Sequence, residues 1–433
     1  MKNILIISFG YPPYNAPGAM RPYIFSKYLD KSKYNVTVLT YNYHDKYYGI
    51  DTGFNENIDD VNLIRIGKKI EDHGLSNNSF NKNKLNSYLP NFIKTILKNV
   101  ILIYNQIFIN YPDITKNWKK DAIDYLCNIN FDFDYVLSTS PMISNHLIAQ
   151  KIKTIYPKIK WIADFRDYHY IFFLENYCYN FRHGKIERDI INLSDSLIFI
   201  SEQMRDKYLE RYKVHKNKMN VIYNSFDHNY LRISQENLKP TKKLKIFYGG
   251  SFYGGRRSPF QLIQTLEELT KENKIKKDDF TIEIAGKINN DIINKTNSYE
   301  ISSSINFLGI LPKSDILRMM NNSDLLWIIV ADEIPHHTGV PIKFFEYMYA
   351  KKPILAYAPF HSEVSIIIKN LQLGWNICNK NFNIEESKTT LHNIFIEYKN
   401  NPLKPHIKDK KVNKKFMSEY QIEQFEKILQ KLK

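Results

Sequence analysis

Residues 1–40 read MKNILIISFG YPPYNAPGAM RPYIFSKYLD KSKYNVTVLT, in which two short apolar runs flank a helical segment. The runs at residues 4–8 and 35–40 are rich in Ile, Leu and Val and predict buried β-strands. Residues 21–29 between them predict an α-helix. Because two strands joined through a helix form a βαβ unit, the start of the chain predicts an α/β fold with a parallel sheet and helices on both faces.

The same alternation continues along the chain in two blocks. In the first block, further strands are predicted at residues 135–138, 160–163, 196–200 and 220–223. Residues 226–242 are polar and contain Pro240, which is typical of a linker. In the second block, a helix is predicted at residues 259–269, and strands are predicted at residues 245–248, 281–285, 305–308, 325–329 and 353–357.

The chain of 433 residues has the length of two or three domains. The two blocks favour two doubly wound, Rossmann-like domains, at residues 1–237 and 238–411, facing each other across a cleft. The C-terminal segment, residues 412–433, contains a predicted helix that is expected to pack back on the first domain. Ligands of such sheets bind at the carboxyl ends of the strands, so the cleft between the domains is the expected site.

The charge of the chain is strongly positive. Lys and Arg number 61 against 45 Asp and Glu, a net charge of +16, and each half of the chain, divided at residue 225, carries +8. This excess favours a nucleic acid, an anionic membrane surface or a phosphate-bearing substrate as partner, although a lysine-rich composition explains part of it. A nucleic-acid site needs clustered basic residues with exposed aromatic side chains, and the even distribution offers no such cluster. No nucleic-acid partner is therefore expected.

The cysteines and the apolar runs bear on the cellular compartment. Cys127, Cys178 and Cys378 are odd in number and far apart, which argues against a disulfide framework and a Cys-rich zinc site. They favour a reducing, cytoplasmic compartment. The apolar run near the N-terminus is too short for a signal peptide, and no run of 18 apolar residues predicts a transmembrane helix.

Residues 92–108 carry apolar side chains at the i, i+3, i+4, i+7 spacing of an amphipathic helix. Two alternatives remain open for this segment. It packs on the sheet of the first domain, or it lies in a membrane interface as a peripheral anchor.

A glycine-containing loop follows the first strand of each block. Gly18 lies just before a helix in the first block, and Gly250 and Ser251 belong to the loop GGSFYGG in the second. Glycines there let backbone N–H groups approach an anion at a helix end. The spacing is neither that of a dinucleotide-binding loop nor that of a Walker loop, so a phosphate loop and a plain tight turn remain alternatives. Arg256 and Arg257, directly after the second loop, favour a phosphate.

Two further segments carry charged residues at positions where such a fold places its site. In TGVPIKFFEYM, residues 338–348, Pro341 suits a helix start, and Lys343 and Glu346 at i, i+3 share one helix face. A surface ion pair is the alternative there. Asp164-Phe165-Arg166-Asp167 follows a predicted strand, and a salt-bridged turn is the alternative for it.

Two other patterns predict no catalytic role. His146 is expected to be a structural histidine. Asp132-Phe133-Asp134 has the Asp-x-Asp spacing of a metal motif, but it precedes its strand and therefore lies away from the expected cleft. No His, Glu or Asp cluster has the spacing of zinc ligands.

These motifs, in this order, resemble the retaining glycosyltransferases of family four, which have the two-domain GT-B fold. Any one piece is weak evidence, but the ordered set covers most of the chain. The matching pieces are Tyr11-Pro12-Pro13 with Gly18, Pro112-Asp113 with Trp118, Ser138-Thr139-Ser140-Pro141, Asp164-Phe165-Arg166-Asp167, Ser201-Glu202-Gln203-Met204, residues 221–227, residues 250–256, residues 307–312, Ser323-Asp324-Leu325-Leu326 and Lys343-Phe344-Phe345-Glu346-Tyr347.

The resemblance implies roles for residues of the second block. Glu346 corresponds to the second glutamate of the family's E-x7-E motif, which holds the ribose hydroxyls of the donor. Arg256 stands where the family places a basic residue on the donor diphosphate. Lys343 and the backbone at Thr338 and Gly339 lie where contacts to donor phosphate or sugar are expected.

Further donor contacts are implied on both blocks. Gly250 and Ser251 belong to the donor-binding loop, and Ile310 and Leu311 lie near where the nucleobase rests against backbone. Gly18 matches the loop of the first domain that faces the donor phosphate.

Arg166 and Asp167 occupy the strand end at which many relatives carry a histidine near the reacting sugar. Together with Arg256 and Lys343 they are the catalytic candidates. Three positions depart from the family pattern. Thr338 replaces the first glutamate of E-x7-E, Ser225 replaces a glycine, and the histidine is absent from residues 164–167.

The resemblance therefore implies a cytoplasmic, retaining glycosyltransferase of cell-surface polysaccharide assembly, such as capsule or O-antigen. The expected donor is a nucleotide-diphosphate sugar, with uracil as the base. The expected acceptor is a hydroxyl of a lipid-linked glycan at the inner membrane face, and neither metal nor cofactor is expected. A sugar-nucleotide epimerase or a phosphorylase of the same fold is the alternative among enzymes, and a nucleic-acid-binding protein is the alternative from another class.

Overall fold

The computed structural model describes residues 1–14, 17–43, 59–67, 111–169, 180–212, 216–225, 243–252, 256–401 and 414–432. The amphipathic segment at 92–108, the linker at 226–242 and the loop residues 253–255 lie outside the described residues. Contacts within the chain divide it into unit 1, Met1–Ile222 with Ile422–Lys433, and unit 2, Tyr223–Gln421.

Unit 1 contains a seven-stranded parallel sheet in the order β3-β2-β1-β4-β5-β6-β7. The strands are β1 (Lys2–Ile7), β2 (Tyr34–Tyr41), β3 (Val61–Ile66), β4 (Tyr135–Thr139), β5 (Lys160–Phe165), β6 (Ser196–Phe199) and β7 (Met219–Val221). The helices between them are α1 (Pro17–Tyr28), α2 (Lys116–Asn128), α3 (Ile143–Ile155), α4 (Asn180–Leu193) and α5 (Glu202–Arg211).

Unit 2 contains a six-stranded parallel sheet in the order β10-β9-β8-β11-β12-β13. Its strands are β8 (Leu244–Gly249), β9 (Phe280–Ala285), β10 (Ile305–Gly309), β11 (Leu325–Ile329), β12 (Ile354–Tyr357) and β13 (Gly374–Ile377). Its helices are α6 (Phe260–Lys271), α7 (Asn290–Thr296), α8 (Lys313–Asn321), α9 (Ile334–His337), α10 (Ile342–Ala350), α11 (Glu363–Leu371) and α12 (Ile384–Asn400).

Helix α13 (Ser418–Lys431) contributes apolar side chains to the core of unit 1. Phe425 is fully buried, and its ring meets that of Phe25 at a centroid distance of 4.7 Å. The hydroxyl of Tyr135 donates a hydrogen bond to the carbonyl of Leu429 at 3.1 Å. The C-terminal helix thus packs through its apolar face, because this burial removes a large aromatic surface from water.

The predicted α/β class with two parallel, doubly wound sheets is confirmed. In each sheet the strand order reverses at one place, between β1 and β4 in unit 1 and between β8 and β11 in unit 2. Loops that leave such neighbouring strands in opposite directions open a crevice at the carboxyl end of the sheet. We call this end the carboxyl edge of each unit. Most of the predicted site residues follow strands that end there.

Candidate functional site

The loop after β8 forms the first part of the site in unit 2. Gly250 has φ +139°, a conformation that side chains rarely adopt, and its N–H donates to the carbonyl of Ala285 at 2.8 Å. Gly286, with φ +146°, lies so close that a Cβ on it would be 2.3 Å from the Gly250 oxygen. Both glycines are therefore needed for the loops after β8 and β9 to meet. The hydroxyl of Tyr248 closes the turn by donating to the carbonyl of Ser251 at 3.0 Å.

Lys343 lies in the first turn of α10 and reaches this loop. Its Nζ donates to the carbonyl of Gly249 at 3.1 Å and lies 4.1 Å from the ring centroid of Tyr248. A Cβ on Gly250 would lie 3.1 Å from the same ammonium. The structure therefore brings together Gly250 and Lys343, two residues that are 93 positions apart and that the sequence places in separate motifs.

The electrostatic setting of Lys343 favours an anionic ligand. Burial, reinforced by the positive charge of Arg257, holds the pKa of Lys343 well below its usual value of 10.5, and the carboxylate of Glu346 offsets part of that effect. An anion bound beside the ammonium would remove part of the cost of keeping this charge away from water. A negative charge placed beside this ammonium would favour its protonated form.

The two adjacent arginines after this loop differ in their surroundings. Arg256 is exposed, and its Nε lies 3.9 Å from Glu333. Arg257 is half-buried, its N–H donates to the carbonyl of Phe252 at 3.2 Å, and its charge acts on Lys343. The sequence names Arg256 as the diphosphate residue, but Arg257 is the arginine whose charge is felt at Lys343.

Glu346 lies one turn after Lys343 on α10 and is buried. Its Oε1 accepts a hydrogen bond from the ammonium of Lys313, the first residue of α8. Sequence reasoning missed Lys313, because nothing in the local pattern links it to a residue 33 positions away.

Thr338 and Gly339 are buried at the end of α9. The Thr338 hydroxyl donates to the carbonyl of Ile334 at 2.6 Å, so its proton is engaged within the protein. Ile310 follows β10 with 66% of its surface exposed, and Leu311 beside it is half-buried. The expected contact of these two residues with a nucleobase stays a prediction.

In unit 1 the segment after β5 divides into a buried and a surface part. Asp164 is fully buried and holds Arg21 of α1 through Nε–Oδ2 at 2.8 Å and Nη2–Oδ1 at 2.7 Å. The Thr139 hydroxyl donates to Asp164 Oδ2 at 2.7 Å. This carboxylate is therefore occupied by neighbours from β4 and α1, and it anchors the turn that follows it.

Arg166 and Asp167 lie just beyond this anchor. Their backbone N–H groups donate to the Ser140 hydroxyl oxygen at 2.8 and 3.2 Å, and Arg166 Nε donates to Asp167 Oδ2 at 3.2 Å. A Cβ on Gly18 would lie 3.5 Å from both terminal nitrogens of Arg166. The structure thus brings Gly18 and Arg166 together at the carboxyl edge of unit 1, with the side chain of Asp167 54% exposed.

His146 and Asp134, for which no catalytic role is predicted, make contacts with neighbouring residues of unit 1. His146 is buried between β4 and Phe165, its Nδ1 lies 2.7 Å from the Ser138 hydroxyl, and burial lowers its pKa to about 4. Asp134 pairs with Lys2 and accepts from the Asn3 N–H at 2.8 Å, at the amino end of β4. Within the described ranges, no group of three or more His, Cys, Asp or Glu residues could hold a metal ion.

Part of the chain matches a known family of sequences. Residues 230–401 match the sequence profile of the family described as "Glycosyl transferases group 1". This range includes the loop after β8, Lys313, Lys343 and Glu346. A search of curated protein sequences gave no match.

Solved structures resemble the chain over its whole length. A glycosyltransferase from Rickettsia africae ESF-5 has a TM-score of 0.62 at 16% identity, covering 100% of this chain and 98% of that one. An α,α-trehalose-phosphate synthase (UDP-forming) from Burkholderia vietnamiensis has a TM-score of 0.64 at 8% identity, covering 100% and 99%. A putative UDP-N-acetylglucosamine 2-epimerase from Listeria monocytogenes has a TM-score of 0.53 at 12% identity, covering 99% and 96%.

At these identities the likeness shows the fold alone, and the fold is that of GT-B glycosyltransferases. The match of residues 230–401 to group 1 supports glycosyl transfer as the activity of a protein with this fold.

Proposed function

We propose that the chain transfers a sugar, with retention of the anomeric configuration, from a nucleotide-diphosphate sugar to a hydroxyl of a glycan. The observation that supports this most is the convergence of Gly250, Lys343, Arg257 and Glu346 at the carboxyl edge of unit 2. Positive groups beside a glycine loop suit a diphosphate, and a neighbouring carboxylate suits hydroxyl groups. The group 1 match covers all four residues.

The roles follow from the charges that develop in the reaction. The bond between the anomeric carbon and the diphosphate oxygen breaks, and the leaving diphosphate gains negative charge. Lys343 and Arg257, with Arg256 as a further contact, would stabilise that charge. The acceptor oxygen forms the new bond on the same face, and its proton passes to a leaving phosphate oxygen. This scheme needs neither an enzymic nucleophile nor a metal ion.

The remaining predicted residues keep proposed roles. Glu346 would accept hydrogen bonds from the ribose hydroxyls, and the backbone at Gly250, Ser251, Thr338 and Gly339 would contact phosphate or sugar. The nucleobase would rest near Ile310 and Leu311. Gly18, Arg166 and Asp167 would serve the phosphate and the reacting sugar from unit 1. Uracil is proposed as the base, and the words "UDP-forming" in the name of the Burkholderia vietnamiensis synthase support it.

A lipid-linked acceptor at the inner membrane face, in cell-surface polysaccharide assembly, is the proposed context. It is supported by the amphipathic pattern of residues 92–108 and by the net charge of +16, since each Lys or Arg near an anionic surface contributes about 1 kcal/mol. No helix among the described parts of the chain is both long and apolar enough to cross a membrane. Co-sedimentation with anionic vesicles that weakens with salt is the expected result, and its absence at low salt would remove this part of the proposal.

Thermal stabilisation by nucleotide sugars tests the donor class. A ligand present at a hundred times its dissociation constant stabilises the folded state by about 2.7 kcal/mol, which gives a clear rise in melting temperature. We expect one nucleotide series to stabilise the protein, with UDP-sugars first, and the corresponding free sugars to have no effect. If no UDP-, GDP-, ADP-, CDP- or dTDP-sugar at millimolar concentration shifts the transition, the proposed donor class is wrong.

A further inference from the structure

Lys313 and Glu346 form an ion pair at the carboxyl edge of unit 2, on two different helices. The Lys313 ammonium donates to Oε1 of Glu346. Both side chains are largely withdrawn from water, with 21% of Lys313 and 11% of Glu346 exposed. A pair this withdrawn from water has a more defined geometry than exposed pairs, in which both side chains move freely.

The two carboxylate oxygens of Glu346 differ in their partners. Oε1 accepts from Lys313, whereas Oε2 makes no hydrogen bond with any residue in the part of the chain that the structure describes. An ionised carboxylate can accept about four hydrogen bonds, so Oε2 retains full capacity for a ligand.

Glu346 also lies on the helix whose Lys343 ammonium donates to Gly249 at 3.1 Å, beside the loop where the donor diphosphate is proposed to bind. It shares a helix face with Lys343, and its charge reaches that lysine. An uncompensated carboxylate here would repel a diphosphate. The ammonium of Lys313 offsets the charge of Glu346 and leaves its hydrogen-bonding capacity in place.

We propose that Lys313 is a positioning residue that orients Glu346, so that Oε2 receives a ribose hydroxyl and the site selects ribonucleotides over nucleotides without these hydroxyls. The inference rests on the proposed function and adds to it a residue that sets specificity. Lys313 itself need not touch the donor.

The test compares the dissociation constants of UDP and 2′,3′-dideoxy-UDP by calorimetry, with the corresponding GDP and ADP pairs included. The variants are Lys313→Met and Lys313→Arg. Lys271→Met is the matched control, because Lys271 also pairs with a buried glutamate, Glu267, at 3.3 Å, but at the end of α6. A hydrogen bond between a hydroxyl and a carboxylate corresponds to about tenfold or more in affinity.

We expect the wild type and Lys271→Met to bind the ribonucleotide about tenfold or more tighter than the dideoxynucleotide. In Lys313→Met this ratio of dissociation constants is expected to fall below about threefold. Lys313→Arg is expected to recover it. If Lys313→Met does not fold, the double variant Lys313→Met with Glu346→Gln leaves no unpaired charge and is expected to show the same loss. Nucleotide binding with an unchanged preference in Lys313→Met or the double variant would overturn this inference alone. Wild-type protein that binds no nucleotide would overturn the proposed function instead.

Discussion

Lys343→Met is expected to lower kcat/KM for sugar transfer at least about a hundredfold while leaving the free energy of unfolding unchanged or higher. The ammonium donates to Gly249 at 3.1 Å, at the start of the glycine loop after β8, and losing one preorganised donor from a developing anion costs about two to three powers of ten in rate. Methionine fills the same space without the cost of burying a charge, which is visible in the lowered pKa of Lys343. Initial rates at varied donor concentration give the measurement.

Lys352→Met is the matched control for this experiment. Burial also lowers the pKa of Lys352, but this residue precedes β12 and lies at the amino end of the sheet. Its replacement is expected to leave transfer within about twofold of the wild type. Equal transfer rates for Lys343→Met and Lys352→Met would show that Lys343 has no role in sugar transfer.

Asp164→Ala is expected to lower the free energy of unfolding by about 3–5 kcal/mol, because it leaves the buried guanidinium of Arg21 without its carboxylate. The double variant Arg21→Met with Asp164→Leu replaces both charges by apolar groups and is expected to recover much of the loss. Urea denaturation followed by circular dichroism measures these differences.

The control for the buried pair is an exposed one in the same unit. Asp206 pairs with Arg205 at 2.8 Å with 55% of its side chain exposed, so Asp206→Ala should cost less than about 1 kcal/mol. A loss for Asp164→Ala no larger than that for Asp206→Ala would show that the Arg21–Asp164 pair does not anchor unit 1.

The parts of the fold that the sequence predicts are those with continuous apolar runs. Strand β11, for example, is predicted and observed at the same residues, 325–329, because all five side chains are buried on both faces of a parallel sheet. The edge strand β3 (Val61–Ile66) was not predicted, since its side chains are half-buried or exposed and polar residues interrupt the pattern. The short strand β13 (Gly374–Ile377) lacks a pattern for a similar reason.

The sequence predicts those site residues that belong to local motifs, and it misses those that are defined by contacts between distant segments. Gly250, Lys343 and Glu346 each belong to a recognisable segment, and the parallel sheet of unit 2 brings those segments to one edge. Which of Arg256 and Arg257 acts on Lys343 depends on the conformation of the loop. The two arginines are adjacent in sequence, so the sequence alone does not decide between them. Lys313 and the Arg21–Asp164 pair depend on contacts across 33 and 143 positions, for which one sequence carries no local signal.

NMR of one reaction mixture shows whether the chain moves a sugar from a nucleotide-diphosphate donor to an acceptor. The nucleotide sugar that stabilises the protein is incubated with and without a lipid-linked glycan acceptor, and phosphorus and proton spectra are followed. We expect nucleoside diphosphate to accumulate only with acceptor, and the new glycosidic proton to show the donor's anomeric configuration. An epimerised nucleotide sugar formed without acceptor, or an inverted product, would contradict this expectation.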